Sequence, residues 1–253
     1  MKDLTAQMHQ WMTDYMKSFY NDDDKIQAAI LLKEEHTGYV TRISRELAEY
    51  LQLDEHDCQL AEIMGLFHDI GRFRQFTLYQ TFNDAQSEDH AELSVRVLEQ
   101  SELCRELADV DRELLLFAVA NHNKKAIAAT QDKRKLFFAR LLRDADKLDI
   151  YRVLSPFLAP SDGQGFAPGF LAKFVAGDQV DYACIQTQDD RKLVRLMWLY
   201  DVNFSWTLRQ IRQRGYIDRI IACLPDIPEV AAGVSRLQDY VAAKCAATDT
   251  VNF

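Results

Sequence analysis

Glycine and proline are scarce, with 9 and 5 residues in a chain of 253. That is too few for the turn density of a β-sandwich or barrel, so long uninterrupted helices are expected. Long apolar runs are missing as well. No stretch of about 18 consecutive apolar residues occurs, which argues against a membrane-spanning helix. The opening Met1-Lys2-Asp3-Leu4-Thr5-Ala6-Gln7 lacks the apolar core of a signal peptide, so the expected address is the cytoplasm. Positive charge is in deficit: 30 Lys and Arg against 39 Asp and Glu leave a net charge of −9. A phosphate backbone would be repelled over most of such a surface, which argues against broad nucleic-acid binding but still admits a small anionic ligand. The five cysteines (Cys58, Cys104, Cys184, Cys223, Cys245) are odd in number, widely spaced and never in a Cys-x-x-Cys arrangement. Neither a disulfide framework nor a thiolate metal site is indicated, and all five read as reduced, mostly packing residues.

What is present is helical periodicity. An apolar fraction of 48% supports a substantial core, and the length suits a single domain over residues 1–253. Up to about residue 154, apolar side chains recur at intervals of three and four with short polar breaks. A first helix runs through Trp11, Met12, Tyr15, Met16 and Phe19, and Asn21-Asp22-Asp23-Asp24 offers a turn and an N-cap for a helix beginning near Lys25. On that helix, or on another directly after it, His36, Val40, Ile43 and Leu47 share one face. A helix from about Asp57 ends in His68-Asp69, where Gly71 is expected to release the backbone. A mixed aromatic loop is expected from Phe73 to Phe82. Ser87-Glu88-Asp89-His90 then reads as a helix start, with Ser94 and Val97 on the side of His90. Leu115, Ala118 and Val119 lead to His122, and a last core helix carries Leu142 to Asp149. Residues 155–183 gather three prolines and four glycines and read as a long surface loop. The helical period returns from Arg191, and a C-terminal helical extension covers about 185–253.

Four histidines and two carboxylates thus face the expected core: His36, His68, Asp69, His90, His122 and Asp146. His9 and His56 lie in polar surroundings and read as surface residues. One histidine on an apolar face is ordinarily a core residue with a satisfied hydrogen bond. Four, together with two carboxylates, would be costly to bury without compensation, and a shared metal centre supplies it. Imidazole and carboxylate suit Mn, Fe, Co, Ni and Zn alike, so the ligands fix a divalent transition metal without fixing which one.

His36, the pair His68-Asp69 and Asp146 on successive helices resemble the HD-domain superfamily of metal-dependent phosphohydrolases over roughly residues 25–155. The string His68-Asp69-Ile70-Gly71 is similar to that family's most recognisable variant, and His90 and His122 match its members with two metals. The family's Ala-Asp-x-Leu ending maps onto Ala145-Asp146-Lys147-Leu148, which favours Asp146 over Asp144 as the last ligand. The resemblance to HD-GYP phosphodiesterases stops at Asn123, where those proteins carry a second adjacent histidine. The GYP tripeptide is absent too, which argues against a third metal and a cyclic-dinucleotide substrate.

The resemblance implies an all-α bundle holding two divalent ions. One would bind His36, His68, Asp69 and Asp146, the other Asp69, His90 and His122, with Asp69 bridging. The implied activity is hydrolysis of a phosphate ester or anhydride of a small, nucleotide-like substrate. Arg72 and Lys147 are the favoured phosphate contacts among the nearby cations Arg72, Arg74, Lys124, Lys125, Arg143 and Lys147. The alternative is a di-iron oxygenase of the inositol oxygenase type acting on a polyol or phosphonate, whose ligand set is the same. The expected partner is a small phosphorylated substrate, with no membrane association; a homo-oligomer is compatible with this reading.

Overall fold

The computed structural model of the chain describes residues 1–178, 180, 184–251 and 253. It is helical throughout, with no strand among the described residues. The chain divides into two compact units, one of Met1–Asp149 with Thr250–Phe253 and one of Ile150–Asp249.

The first unit is built from α1 (Lys2–Lys17), α2 (Asp24–Tyr50), α3 (Glu55–Phe67), α4 (Ile70–Tyr79), α5 (His90–Gln100), α6 (Glu102–Arg105), α7 (Asp109–Asn121) and most of α8 (Lys133–Leu154). The expected N-cap before Lys25 is Asp23, whose carboxylate accepts from the amides of Lys25 and Ile26. With no glycine or proline to break it except the exposed Gly38, α2 runs for 27 residues and carries His36 at its middle. Its apolar stripe, Val40, Ile43 and Leu47, is 0 or 1% exposed and lies in the same core as Leu60, Ile63, Met64, Leu115, Val119, Phe138 and Leu142. Trp11, Tyr15 and Phe19 join α1 to this core through ring contacts with Phe67 and Phe73 at 5.8–6.3 Å.

Two features near the His-Asp pair differ from the sequence expectation. Phe73 to Tyr79 belongs to α4 rather than to a loop, because Phe73 and Phe76, three apart, both bury against the core. Nor does Gly71 release the backbone; it is the second residue of α4, and its reason is proximity. A Cβ there would lie 2.6 Å from the Ser94 amide nitrogen and 2.7 Å from the His90 carbonyl oxygen. The Gly71 amide donates to Ser94 Oγ at 2.9 Å, so α4 and α5 touch backbone to backbone beside His90. Gly65 does the same between α3 and α2, where a Cβ would meet the Val40 carbonyl oxygen at 2.8 Å.

The second unit holds α9 (Phe170–Ala176), α10 (Gln188–Met197), α11 (Ser205–Gln213), α12 (Tyr216–Ile221) and α13 (Pro228–Ala246). The stretch expected as a continuous loop over 155–183 therefore contains a helix. Gly169 and Gly177, both left-handed, bracket α9, while Phe170 and Phe174 bury, the Phe174 ring lying against Gly233 of α13. The remainder of that expected loop includes residues 179 and 181–183, outside the described set. Thr187 and Asp190 form a capping box at the start of α10. A buried Lys192–Asp189 pair at 2.7 Å lies on the same helix. No helix among the described residues is long and apolar enough to cross a membrane.

Because the Gly71 contact is with rigid backbone, Gly71→Ala is expected to destabilise the protein by about 1–3 kcal/mol. That corresponds to a melting temperature lower by roughly 2–10 °C for a chain of this size. Gly38 has nothing within 4 Å of its position, so Gly38→Ala is expected to be neutral or stabilising by up to about 1 kcal/mol. Circular dichroism melts of the two variants check the pair of expectations.

Candidate metal centre

The centre begins with an interruption. α3 stops at Phe67 and α4 starts at Ile70, leaving His68 and Asp69 in the break. Asp69 is the N-cap residue of α4 by position but makes no capping bond with its side chain. Its carboxylate instead lies inward, 4% exposed, with His68 at 0%. The other elements bring their ends or faces to this point: His36 from the middle of α2, His90 as the first residue of α5, His122 directly after α7, and Asp146 from α8.

The distances form two sets that share Asp69. Around Oδ2 lie His36 Nε2 and His68 Nε2, both at 3.6 Å. These two nitrogens are 3.2 Å apart, and Asp146 Oδ1 is 3.2 Å from the first and 3.8 Å from the second. Around Oδ1 lie His90 Nε2 at 3.4 Å and His122 Nε2 at 3.5 Å, themselves 3.0 Å apart. Donors bound to one transition-metal ion at about 2.0–2.2 Å are separated by roughly 2.8–3.6 Å in octahedral or tetrahedral geometry. All the observed spacings but the 3.8 Å one from His68 to Asp146 fall in that range, so the cluster could hold metal ions. Each of the triads His36–His68–Asp69 and Asp69–His90–His122 has its ligand atoms within 4.8 Å of one another.

The hydrogen bonds on the far side of each ring settle which nitrogen carries the proton. His68 Nδ1 donates to the Gly65 carbonyl at 2.8 Å and His122 Nδ1 to that of Val119 at 2.7 Å. His36 Nδ1 faces Asp149 Oδ2 at 2.7 Å, and His90 Nδ1 faces Asp84 Oδ2 at 2.6 Å. Carbonyls and carboxylates only accept, so each Nδ1 bears hydrogen, and a ring in its neutral form presents an Nε2 lone pair. Burial pushes the His68 imidazole down to about 4, and it lowers His90 as well, which keeps both neutral at pH 7. Burial and the nearby Lys33 charge act to lower His36, but hydrogen bonds to Asp146 and Asp149 outweigh them and raise it. His36 is therefore the ring on which a proton competes with a metal ion. Asp69 is held well below the usual carboxylate range: burial opposes ionisation, but Lys33, His68, His122 and Arg72 together outweigh it. Asp69 Oδ1 is buried without a hydrogen-bond partner. Lone pairs 3.0–3.2 Å apart beside an orphaned carboxylate oxygen are stable only with positive charge among them, so the residues fit divalent metal ions.

Other candidates fall in different places. Asp144 is fully buried on α8, while Lys147 is half-buried beside Asp146. Arg72 has Nη1 committed to Gln75 Oε1, the Phe82 carbonyl and Asp84 Oδ1, with Nε 3.5 Å from Asp69 Oδ1. Lys124 pairs with Asp89 and Glu92, and Arg143 donates to the carbonyls of Asn121, His122 and Lys124, bracing the end of α7. Arg74 and Lys125 are exposed. Asn123 bridges Asp84 and Asp89 at 3.3 and 3.0 Å, tying the segment after His122 to the start of α5. His9 and His56 pair with Glu62 and Asp111, outside the cluster. Three residues at the centre escaped the sequence reading. Lys33 and Asp149 each had a signal, standing three residues before His36 and three after Asp146. Asp84 had none, because its side chain, on a turn of 3-10 helix (Asp84–Gln86), meets Arg72, Gln75 and His90 through contacts that no helical periodicity reports.

A helical unit that gathers four imidazoles and a shared aspartate, with Asp146 alongside, is an all-α unit whose clustered side chains could hold divalent metal ions. Residues 34–151 match the HD domain family, whose members are typically metal-dependent hydrolases. No curated protein and no solved structure matches the chain.

Asp84→Asn removes the charge behind His90 while keeping the side chain's size. Loss of such an outer partner costs roughly 10–100-fold in metal affinity. Calorimetric titration with Mn²⁺ is expected to show that weakening in one class of site and no change in the other.

Proposed function

We propose that the protein is a phosphohydrolase with a dinuclear centre, acting on a small phosphorylated substrate of nucleotide-like size. His36, His68, Asp69 and Asp146 would hold one ion and Asp69, His90 and His122 the second, with Asp69 spanning both. The observation that carries this reading is the position of Asp69, whose two oxygens face two different pairs of histidine nitrogens. Divalent ions in such a pair supply Lewis acidity toward a phosphoryl oxygen and activate water at neutral pH.

The protein's own residues prepare the site for that chemistry. Asp149, Asp84 and the carbonyls of Gly65 and Val119 fix the four rings in the tautomer that ligates, so no ring must turn over when a metal arrives. Arg72 acts as a fixed positive charge beside Asp69, since its Nη1 is held by three acceptors and its side chain is 13% exposed. Lys147, next to Asp146 on α8, is the second phosphate contact in this reading. Positive charge beside the cluster, from Arg72 and Lys147 in this reading, favours an anionic substrate over a neutral polyol.

Mn²⁺-loaded protein is expected to release phosphate from at least one member of a panel of nucleotides, sugar phosphates and aryl phosphate esters, and to stop when a chelator strips the metal. Silence across the panel would argue for the di-iron oxygenase. So would a mixed-valent electron paramagnetic resonance signal from iron-loaded protein, with oxygen uptake in the presence of a polyol or phosphonate.

A further inference from the structure

Lys33 lies three residues before His36 on α2, so both side chains issue from one face of the helix. Its ammonium donates to Asp69 Oδ2 at 2.6 Å, the same oxygen that lies 3.6 Å from His36 Nε2 and from His68 Nε2. Nζ also lies 5.3 Å from the centre of the Phe82 ring, which Arg72 approaches from its own side at 5.7 Å. The two cations differ in how they are held. Arg72 is pinned by three acceptors, whereas Asp69 is the only polar partner of Lys33 among the described residues. The lysine's side chain is 16% exposed, against 4% for Asp69, so it reaches the buried carboxylate from the solvent side.

From this geometry we infer that Lys33 is a substrate-anchoring residue: it neutralises Asp69 until metal binds and then turns its ammonium onto the phosphate of the substrate. A divalent cation held by Asp69 would share its carboxylate with the Lys33 ammonium, and like charges so placed repel strongly in a partly desolvated site. Metal binding therefore weakens the hold of Asp69 on Lys33. The flexible four-carbon stem lets the ammonium swing while staying over Phe82, and the nearest new anion is a phosphate resting on the ions. Arg72 cannot make this move without breaking its bonds to Gln75, Phe82 and Asp84. The inference rests on the phosphohydrolase reading for the ligand it names, but the competition between Lys33 and metal does not depend on that reading.

Two titrations on folded Lys33→Gln and wild-type protein test it, one with Mn²⁺ alone and one with inorganic phosphate on the Mn²⁺-loaded forms. Lys33→Gln is expected to bind Mn²⁺ about threefold tighter or more, because a competing cation is gone. It is expected to bind phosphate roughly 10–100-fold more weakly, the loss of one charge-assisted hydrogen bond. Lys33→Arg is expected to retain phosphate binding. Lys33→Met, which keeps the stem against Phe82, repeats the comparison if the glutamine variant folds poorly. Equal or weaker Mn²⁺ binding in Lys33→Gln would overturn the displacement, and unchanged phosphate affinity would overturn the anchoring role while leaving the hydrolase reading in place. If loaded wild-type protein binds no phosphate at all, the hydrolase reading itself fails and the anchoring role falls with it.

Discussion

Four imidazole lone pairs directed at one buried carboxylate cannot rest against each other. Their Nδ1 protons are spent on Gly65, Val119, Asp84 and Asp149, so the Nε2 atoms converge at separations of 3.0 and 3.2 Å within each pair, and only on His36 does a neighbouring carboxylate, Asp146, favour a further proton. Positive charge must enter the gap, and the arrangement of the first unit follows from that requirement. Lys33 supplies one cation and Arg72 another, but both approach Asp69 rather than the space between the rings. The spacing between the rings is that of donors around a metal ion.

The helices meet this requirement through their ends. A break of two residues between α3 and α4 frees His68 and Asp69 from regular helix geometry. The start of α5 and the end of α7 place His90 and His122 beside them. Those ends are fastened by polar groups: Asn123 and Lys124 on Asp89, and Arg143 on the Asn121 carbonyl. Lys124 and Arg143, which the sequence offers as phosphate contacts, are thus occupied in holding the cage. Gly71 permits the closest approach of α4 to α5. A buried cluster of this charge is costly in the absence of its ion, so the bonds that order the ligands also hold them together against that cost.

Much of the site is legible in the sequence because helical periodicity reports direction. His36 shares a stripe with Val40, Ile43 and Leu47, and His122 continues one through Leu115, Ala118 and Val119; both stripes are buried, and each ring joins one of the two triads that share Asp69. Periodicity fails where the chain is short or mixed. The segment from Phe73 to Tyr79 hides a helix because arginine and glutamine separate its two buried phenylalanines, and α9 is masked by flanking glycines and prolines. Asp84 is invisible for a different reason: its role comes from a contact with His90 across a turn, which no local pattern encodes. Arg72 stands out as a neighbour of the His-Asp pair, but its three acceptors do not, and only the folded chain shows that it is braced while Lys33 is held once.

The central claim is that Asp69 serves both halves of the cluster, and counting metal tests it most directly. Wild-type and Asp69→Ala protein, each loaded with Mn²⁺, desalted and measured by plasma mass spectrometry, are the two samples needed. The account predicts two ions per wild-type chain and the loss of both in the variant, since each histidine pair would lose its carboxylate. Retention of both ions in Asp69→Ala would contradict it.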